Sequence, residues 1–259
     1  MHRLIRMAVL AAVCALAACA SVTDPTRDWT AEQFYQDGKE KMESGNWGEA
    51  IKSFEQLESR YPYGRYTEQA QLEIAYAQYK DNEPALALAA VDRFIRLHPT
   101  HPSADYAYYL KGVINFHNEK SLVHTLLGYD EDLWDRDAKG ARESYNAFRE
   151  LVERFPKSRY AKDAGERMKY LLDAQARYEV HIAQFYLDSG AYVAAANRCK
   201  YALENYPRTP AIEDALGIQA KAYKLMGLTK LADDTIRVLR SNFPASRYLK
   251  EIEELGAAG

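Results

Sequence analysis

The stretch "DGKEKMESGNWGEAIKSFEQLESRYP", residues 37–62, decides the fold of this chain of 259 residues. The small residue Gly38 is followed after twelve positions by Ala50, after sixteen by Phe54 and after twenty-four by Pro62. The apolar positions before the proline fall on one helical stripe, and the glycine- and asparagine-containing turn ahead of them separates two helices. The stretch therefore predicts a helix pair whose second member ends where proline stops it.

The same residue types recur at a fixed spacing, which makes this helix pair a repeat. The small positions are Gly38, Ala75, Gly112, Ala183 and Ala220, and the proline positions are Pro62, Pro99, Pro207 and Pro244. In the third unit Phe148 and Pro156 keep their spacing of eight but are displaced by twenty residues. These offsets are the tetratricopeptide pattern. The sequence therefore predicts an all-α tetratricopeptide-repeat solenoid of five helix pairs.

Two segments interrupt the period. Residues 118–137 are an insertion in the third repeat, and fourteen further residues precede Ala183. Residues 158–190 contain one glycine before their end and no proline, which predicts one long helix that joins repeats 3 and 4. We expect repeats 1–3 in residues 30–156, and the long helix with repeats 4 and 5 in residues 157–259.

The beginning of the chain is typical of an exported lipoprotein. Residues 1–18 combine a basic start with an apolar run that is too short to span a membrane comfortably, as in a signal peptide. The run ends in "LAAC" (16–19), the lipobox pattern, so Cys19 is the predicted lipidation site. Residues 19–29 then form a lipidated, polar tether. The residue after the cysteine is Ala20 rather than an aspartate, so retention in the inner membrane is not signalled.

Charge and cysteine content exclude several classes of protein. Loss of the leader removes two of the 34 basic side chains, which leaves 32 basic and 37 acidic ones, a formal net charge of −5. An acidic surface argues against a nucleic acid partner, because phosphate binding needs a basic footprint. Cys14 leaves with the leader and Cys19 carries lipid, so Cys199 has no partner for an internal disulfide.

Catalytic and metal motifs are weak. His98 and His101 flank a repeat-terminating proline, so we interpret them as turn residues rather than a metal pair. Residues 135–140 begin like a calcium loop but lack the carboxylate that closes the cage. Glu143 could be the lone acid of a peptidoglycan lyase, although a solvated helix position is the preferred interpretation. We expect a protein that is not an enzyme and holds no metal or cofactor.

Tyrosine is unusually frequent, with 20 residues against 8 phenylalanines. In a tetratricopeptide solenoid the first helix of each repeat lines the concave wall, and tyrosine suits reversible peptide binding. The wall positions of repeats 1–3 predict a peptide groove made of Tyr35, Leu72, Tyr76, Tyr79, Tyr106, Tyr109 and Phe116. The alternative is that some of these rings pack between helices, as we expect for Tyr108.

Three segments, residues 37–66, 89–112 and 192–207, carry a family resemblance. They resemble the BamD (ComL) family of outer membrane assembly lipoproteins, and the resemblance covers essentially the whole mature chain. It implies a lipid-anchored protein on the periplasmic face of the outer membrane. Its partners would be BamA, other assembly-complex lipoproteins and the C-terminal targeting segment of unfolded β-barrel precursors.

The resemblance also implies roles for two residues. Tyr61 in "RYPYG" and Arg198 in "AANRC" match family positions tied to contact with precursor and with BamA. Arg198 precedes the buried-type position of Cys199, so we expect its guanidinium to face outward, toward a carboxylate. The alternative function is that of a pilot or organiser lipoprotein, which would guide secretin or pilus assembly on the same repeats.

Overall fold

A computed structural model describes residues 24–117 and 138–257 of the chain. All regular secondary structure in these ranges is α-helical. The prediction of an all-α tetratricopeptide-type fold is confirmed. The predicted leader, Cys19 and the insertion 118–137 lie outside the described residues.

Eleven helices lie in the described ranges. In chain order they are α1 (Ala31–Glu43), α2 (Trp47–Arg60), α3 (Arg65–Lys80), α4 (Pro84–Leu97), α5 (Ala104–His117), α6 (Ala138–Arg154), α7 (Ala161–Asp188), α8 (Tyr192–Asn205), α9 (Ile212–Leu225), α10 (Thr229–Asn242) and α11 (Arg247–Ala257). The long helix predicted within residues 158–190 is α7, with 28 residues. Among the described helices, none combines the length and the apolar composition that crossing a membrane requires.

The helices divide into two compact units, of which one ends at Ile74 and the other begins at Ala75. In the first unit, Thr30 caps α1 through a reciprocal pair of hydrogen bonds with Gln33. The aromatic ring of Phe54 on α2 lies directly on the backbone of Gly38 on α1. A Cβ atom added at Gly38 would come within 2.5 Å of that ring. The small repeat position therefore lets a phenylalanine ring fill the space between two helices.

The second unit repeats this glycine-on-ring contact. The ring of Phe148 on α6 lies on Gly112 of α5, and the Ser144 hydroxyl donates to the Gly112 carbonyl at 2.9 Å. Phe148 thus occupies the position that the displaced repeat register predicted. Further along, the ring of Tyr248 on α11 lies on Gly217 of α9. In both places a side chain larger than hydrogen on the glycine would collide with the ring.

Two hydrophobic clusters hold the second unit together. One joins α5, α6 and α7 around Phe148, Leu151 and Leu171, and the other extends from the second half of α7 to α11. Cys199 lies fully buried in the second cluster, and burial raises the pKa of its thiol to about 12. Tyr108, which we expected to pack between repeats, is buried in the first cluster.

The two histidines act as turn residues at the end of α4. The backbone N–H of His98 donates to the Phe94 carbonyl at 2.8 Å, and Nδ1 of His101 accepts from the Ser103 backbone N–H at 3.0 Å. Both imidazole rings lie against the Phe94 ring, with centroids 5.1 and 5.3 Å away. These contacts stabilise the helix end and the turn that follows it.

Candidate peptide-binding face

Five of the predicted groove residues lie in the second unit, on α3 and α5. Tyr76 and Tyr79 are half-buried neighbours on α3, with ring centroids 6.5 Å apart. Burial raises the pKa of the Tyr79 hydroxyl, so the phenol stays protonated at neutral pH. On α5, the half-buried rings are those of Tyr106, Tyr109 and Phe116. Their spacing of three and seven residues places all three on one side of the helix.

The first half of α7 covers part of this α5 stripe. The ring of Tyr160, the N-cap residue of α7, stacks on Tyr109 with a centroid distance of 4.7 Å and an angle of 20°. Tyr160 also contacts Tyr106 at 5.6 Å. The Tyr109 hydroxyl donates to the Asp163 carboxylate at 2.8 Å. These contacts hold the rings of Tyr106 and Tyr109 in place on α5.

An ion pair continues the contact along α7. Arg167 donates to the Asp163 carboxylate at 2.6 Å, and its guanidinium lies 5.2 Å from the centre of the Phe116 ring. Burial opposes ionisation of Asp163, but the hydrogen bonds from Arg167 and Tyr109 outweigh it and lower the pKa of the carboxyl group. One turn further along, Tyr170 touches the Phe116 ring at 5.7 Å and is 45% exposed.

We call this surface the aromatic face. It consists of Tyr76, Tyr79, Tyr106, Tyr109, Phe116, Tyr160, Arg167 and Tyr170. Tyr160, Arg167 and Tyr170, which come from α7 and its N-cap, were not predicted from the sequence. The repeat pattern predicted this helix only as the link between repeats 3 and 4. A signal was present nonetheless, since positions 160, 163, 167 and 170 recur at steps of three and four along one side of a helix.

In the first unit, the two predicted wall residues Tyr35 and Leu72 differ in how deeply they are buried. Tyr35 is half-buried, and its hydroxyl donates to Glu73 at 3.1 Å while its ring touches Tyr66 at 5.5 Å. Burial raises the pKa of the Tyr35 hydroxyl. Leu72 differs from the prediction, since it is only 5% exposed and belongs to the core. Its place on the helix turns the side chain away from solvent, so it offers no surface to a peptide.

Tyr61 ends α2 in the first unit and is 37% exposed. Its hydroxyl donates to the Trp29 carbonyl at 2.7 Å, and its own carbonyl accepts from the Thr67 hydroxyl. The ring is therefore accessible, but its orientation is fixed by bonds to both flanking segments.

Arg198 on α8 forms an ion pair within the chain. Its guanidinium donates to the Glu179 carboxylate of α7 at 3.0 Å, and this hydrogen bond raises the pKa of the arginine. Glu179 is 8% exposed, whereas the Arg198 side chain is 42% exposed. The guanidinium thus has one side against a buried carboxylate and another side open to solvent.

The sequences of known proteins identify the family to which this chain belongs. A profile of the family YfiO, outer membrane lipoprotein, matches residues 27–239. A protein of Neisseria meningitidis serogroup B named outer membrane protein assembly factor BamD is 46% identical over 244 residues, which are 92% of this chain and 90% of that protein. The chain belongs to the BamD family.

Other members of the family align over similar lengths. The BamD protein of Vibrio cholerae is 37% identical over 90% of this chain and 96% of its own length. Among solved structures, the MamA protein is 15% identical with a TM-score of 0.40 over 88% of this chain and 94% of its own, a likeness too weak to support an argument. The resemblance found in the repeat segments is therefore confirmed by the relatives.

Proposed function

We propose that this chain is a non-catalytic scaffold that helps to assemble outer membrane proteins. The observation that supports this most strongly is its 46% identity, across nine tenths of both chains, to a protein named as an assembly factor of the outer membrane. The partners that we propose are BamA, other lipoproteins of the assembly complex and unfolded β-barrel precursors.

The proposed location is the periplasmic face of the outer membrane, with Cys19 as the lipid-bearing residue. The basic start, short apolar run and "LAAC" end of residues 1–19 support this assignment. Acyl chains on Cys19 would anchor the helical repeats to the membrane surface.

We propose that the aromatic face binds the C-terminal targeting segment of a precursor. Such a segment is extended, with alternating apolar side chains and a terminal aromatic residue. Half-buried rings held by neighbouring side chains lose little conformational entropy on binding, and their hydroxyls can bond to peptide groups. Tyr35 and Tyr61, in the first unit, are proposed as further contacts of the precursor.

The test is peptide affinity. We expect the Tyr76→Ala, Tyr170→Ala double variant to bind a fluorescent C-terminal barrel peptide at least about tenfold more weakly than wild type, since truncating an interface aromatic costs about 1–2 kcal/mol or more. Fluorescence anisotropy gives the Kd. The control Tyr201→Ala removes a similarly exposed tyrosine from α8. Equal affinity in the double variant and the control would remove the aromatic face from the proposal.

We propose Arg198 as a contact for BamA. Replacing Arg198 alone would leave Glu179 buried without its partner, so loss of binding could reflect local unfolding. The Arg198→Gln, Glu179→Gln double variant avoids this, because two neutral amides can still bond to each other. We expect less BamA to co-purify with it, while Lys200→Gln on the same helix leaves the yield unchanged. Full recovery of BamA with the double variant would contradict the assignment.

A further inference from the structure

The loop between α2 and α3 exposes an aromatic side chain on an ordered backbone. With the last residue of α2 and the first two of α3 it reads "RYPYGRY", residues 60–66, which we call the loop, and Tyr63 at its centre is 91% exposed. The loop is held at both ends, since the Tyr61 N–H donates to the Leu57 carbonyl at 2.8 Å and the Thr67 N–H to the Gly64 carbonyl at 3.1 Å. A single exposed ring is common on protein surfaces, but Tyr63 lies two residues from Tyr61, which is 37% exposed, so the loop presents two aromatic side chains to solvent.

The same loop is bonded to the segment that leads back to the lipidation site. Arg60 donates to the Asp24 carboxylate and to the Thr26 carbonyl. The Tyr61 hydroxyl donates to the Trp29 carbonyl at 2.7 Å. Cys19 and Asp24 are five Cα-to-Cα steps apart in the chain, so the distance between them is at most about 18 Å. An acylated Cys19 would therefore keep the loop close to the bilayer.

The composition of the loop fits a membrane surface. It contains three tyrosines and two arginines but no acidic residue, in a mature chain whose formal net charge is −5. Arg60 is paired with Asp24, whereas the exposed Arg65 lies over the Tyr66 ring and donates to its hydroxyl at 2.9 Å. Tyrosine is enriched at the level of lipid headgroups, and arginine is attracted to anionic lipid.

We propose that the loop of residues 60–66 is a membrane-contact site, in which Tyr63 enters the headgroup layer and Arg65 binds a lipid phosphate. The occupant is the phospholipid surface that holds the anchor. This inference rests on the proposed lipidation of Cys19, and it adds a second, non-covalent contact that fixes the orientation of the first unit on the membrane.

The test measures the depth of the loop in a bilayer. The full-length lipidated chain carrying Tyr63→Cys is labelled with an environment-sensitive fluorophore. It is then reconstituted into phosphatidylethanolamine–phosphatidylglycerol vesicles that contain brominated lipid. The native Cys199 is buried and its thiol pKa is about 12, so it does not compete for the label. Ser44→Cys is the matched control, because it is exposed in the turn at the opposite end of α2, about 20 Å away.

We expect lipid to quench the label at position 63 several-fold more than the label at position 44, and we expect less quenching at 63 in phosphatidylcholine vesicles. Adding Arg60→Gln and Asp24→Asn should reduce quenching at 63 while the protein still floats with the vesicles. Flotation with equal quenching at both positions would overturn the membrane contact alone. Failure to float would overturn the lipid anchor as well. Quenching at 63 by a labelled precursor peptide but not by lipid would reassign the loop to peptide binding.

Discussion

The two halves of α7 pack in different ways. The first half buries Leu171 against α5 and α6 and sends the rings of Tyr160 and Tyr170 to the aromatic residues of α5. The second half buries Ala183 in a cluster that α8 supplies largely with alanines. Large side chains fill a gap in one half, whereas small ones let helices approach closely in the other. A single continuous helix can thus contribute to the aromatic face and to the repeat core.

The largest effect is expected when a buried side chain in the first half of α7 is shortened. Leu171→Ala should lower the free energy of unfolding by about 2–5 kcal/mol, because Leu171 is fully buried and the surrounding rings cannot close over the cavity. Urea denaturation followed by circular dichroism measures the change. Leu225→Ala, at an exposed leucine of α9, is the control and should cost far less. Equal losses for both variants would mean that the first half of α7 is not well packed.

In the second half of α7, a larger buried side chain should lower the free energy of unfolding. Ala183→Leu should cost about 1–3 kcal/mol, because Ala183 is fully buried and the larger side chain would push α7 and α8 apart. His181→Leu introduces the same side chain at an exposed position of the same helix and should be nearly neutral. Equal stability of the two variants would show that close approach of α7 and α8 does not stabilise the second half of α7.

The smallest effect concerns the ion pair on the first half of α7. The pKa of Asp163 is lowered in the folded protein, so its contribution to stability is present above the ordinary carboxyl pKa of about 3.9 and is lost as pH falls through the lowered value. Asp163→Asn should therefore lower Tm slightly at neutral pH and by progressively less below about pH 4. Asp188→Asn, at the end of α7, is the control. A Tm difference that stays constant with pH would assign the effect to packing rather than to charge.

Much of the fold could be predicted from sequence because each repeat encodes a contact at a fixed offset. Gly38 and Phe54 are sixteen residues apart because the phenylalanine ring packs on the glycine backbone. The same contact recurs between Gly112 and Phe148 despite the insertion. Small and apolar residues at a regular spacing are a local property of the chain. Their places in the repeat could therefore be predicted from the sequence, and the structure adds the geometry of their contacts.

The candidate site was predicted less completely, for reasons that lie outside the repeat. The stacking of Tyr160 on Tyr109 joins residues 51 positions apart through a helix that has no counterpart in the other repeats. Leu72 occupies a wall position by count, yet it is buried in this structure. Arg198 is partly exposed, as expected, but the sequence did not indicate that its guanidinium also donates to the buried carboxylate of Glu179. Such outcomes depend on which side chains meet in three dimensions.

The packing of Phe148 on Gly112 bears on how much sequence can be added between α5 and α6. The two residues align α5 and α6 by direct contact, and twenty residues of sequence separate the end of α5 at His117 from the start of α6 at Ala138. We therefore expect a tag inserted between α5 and α6 to leave the contact of Phe148 with Gly112, and with it the register of the repeats, in place.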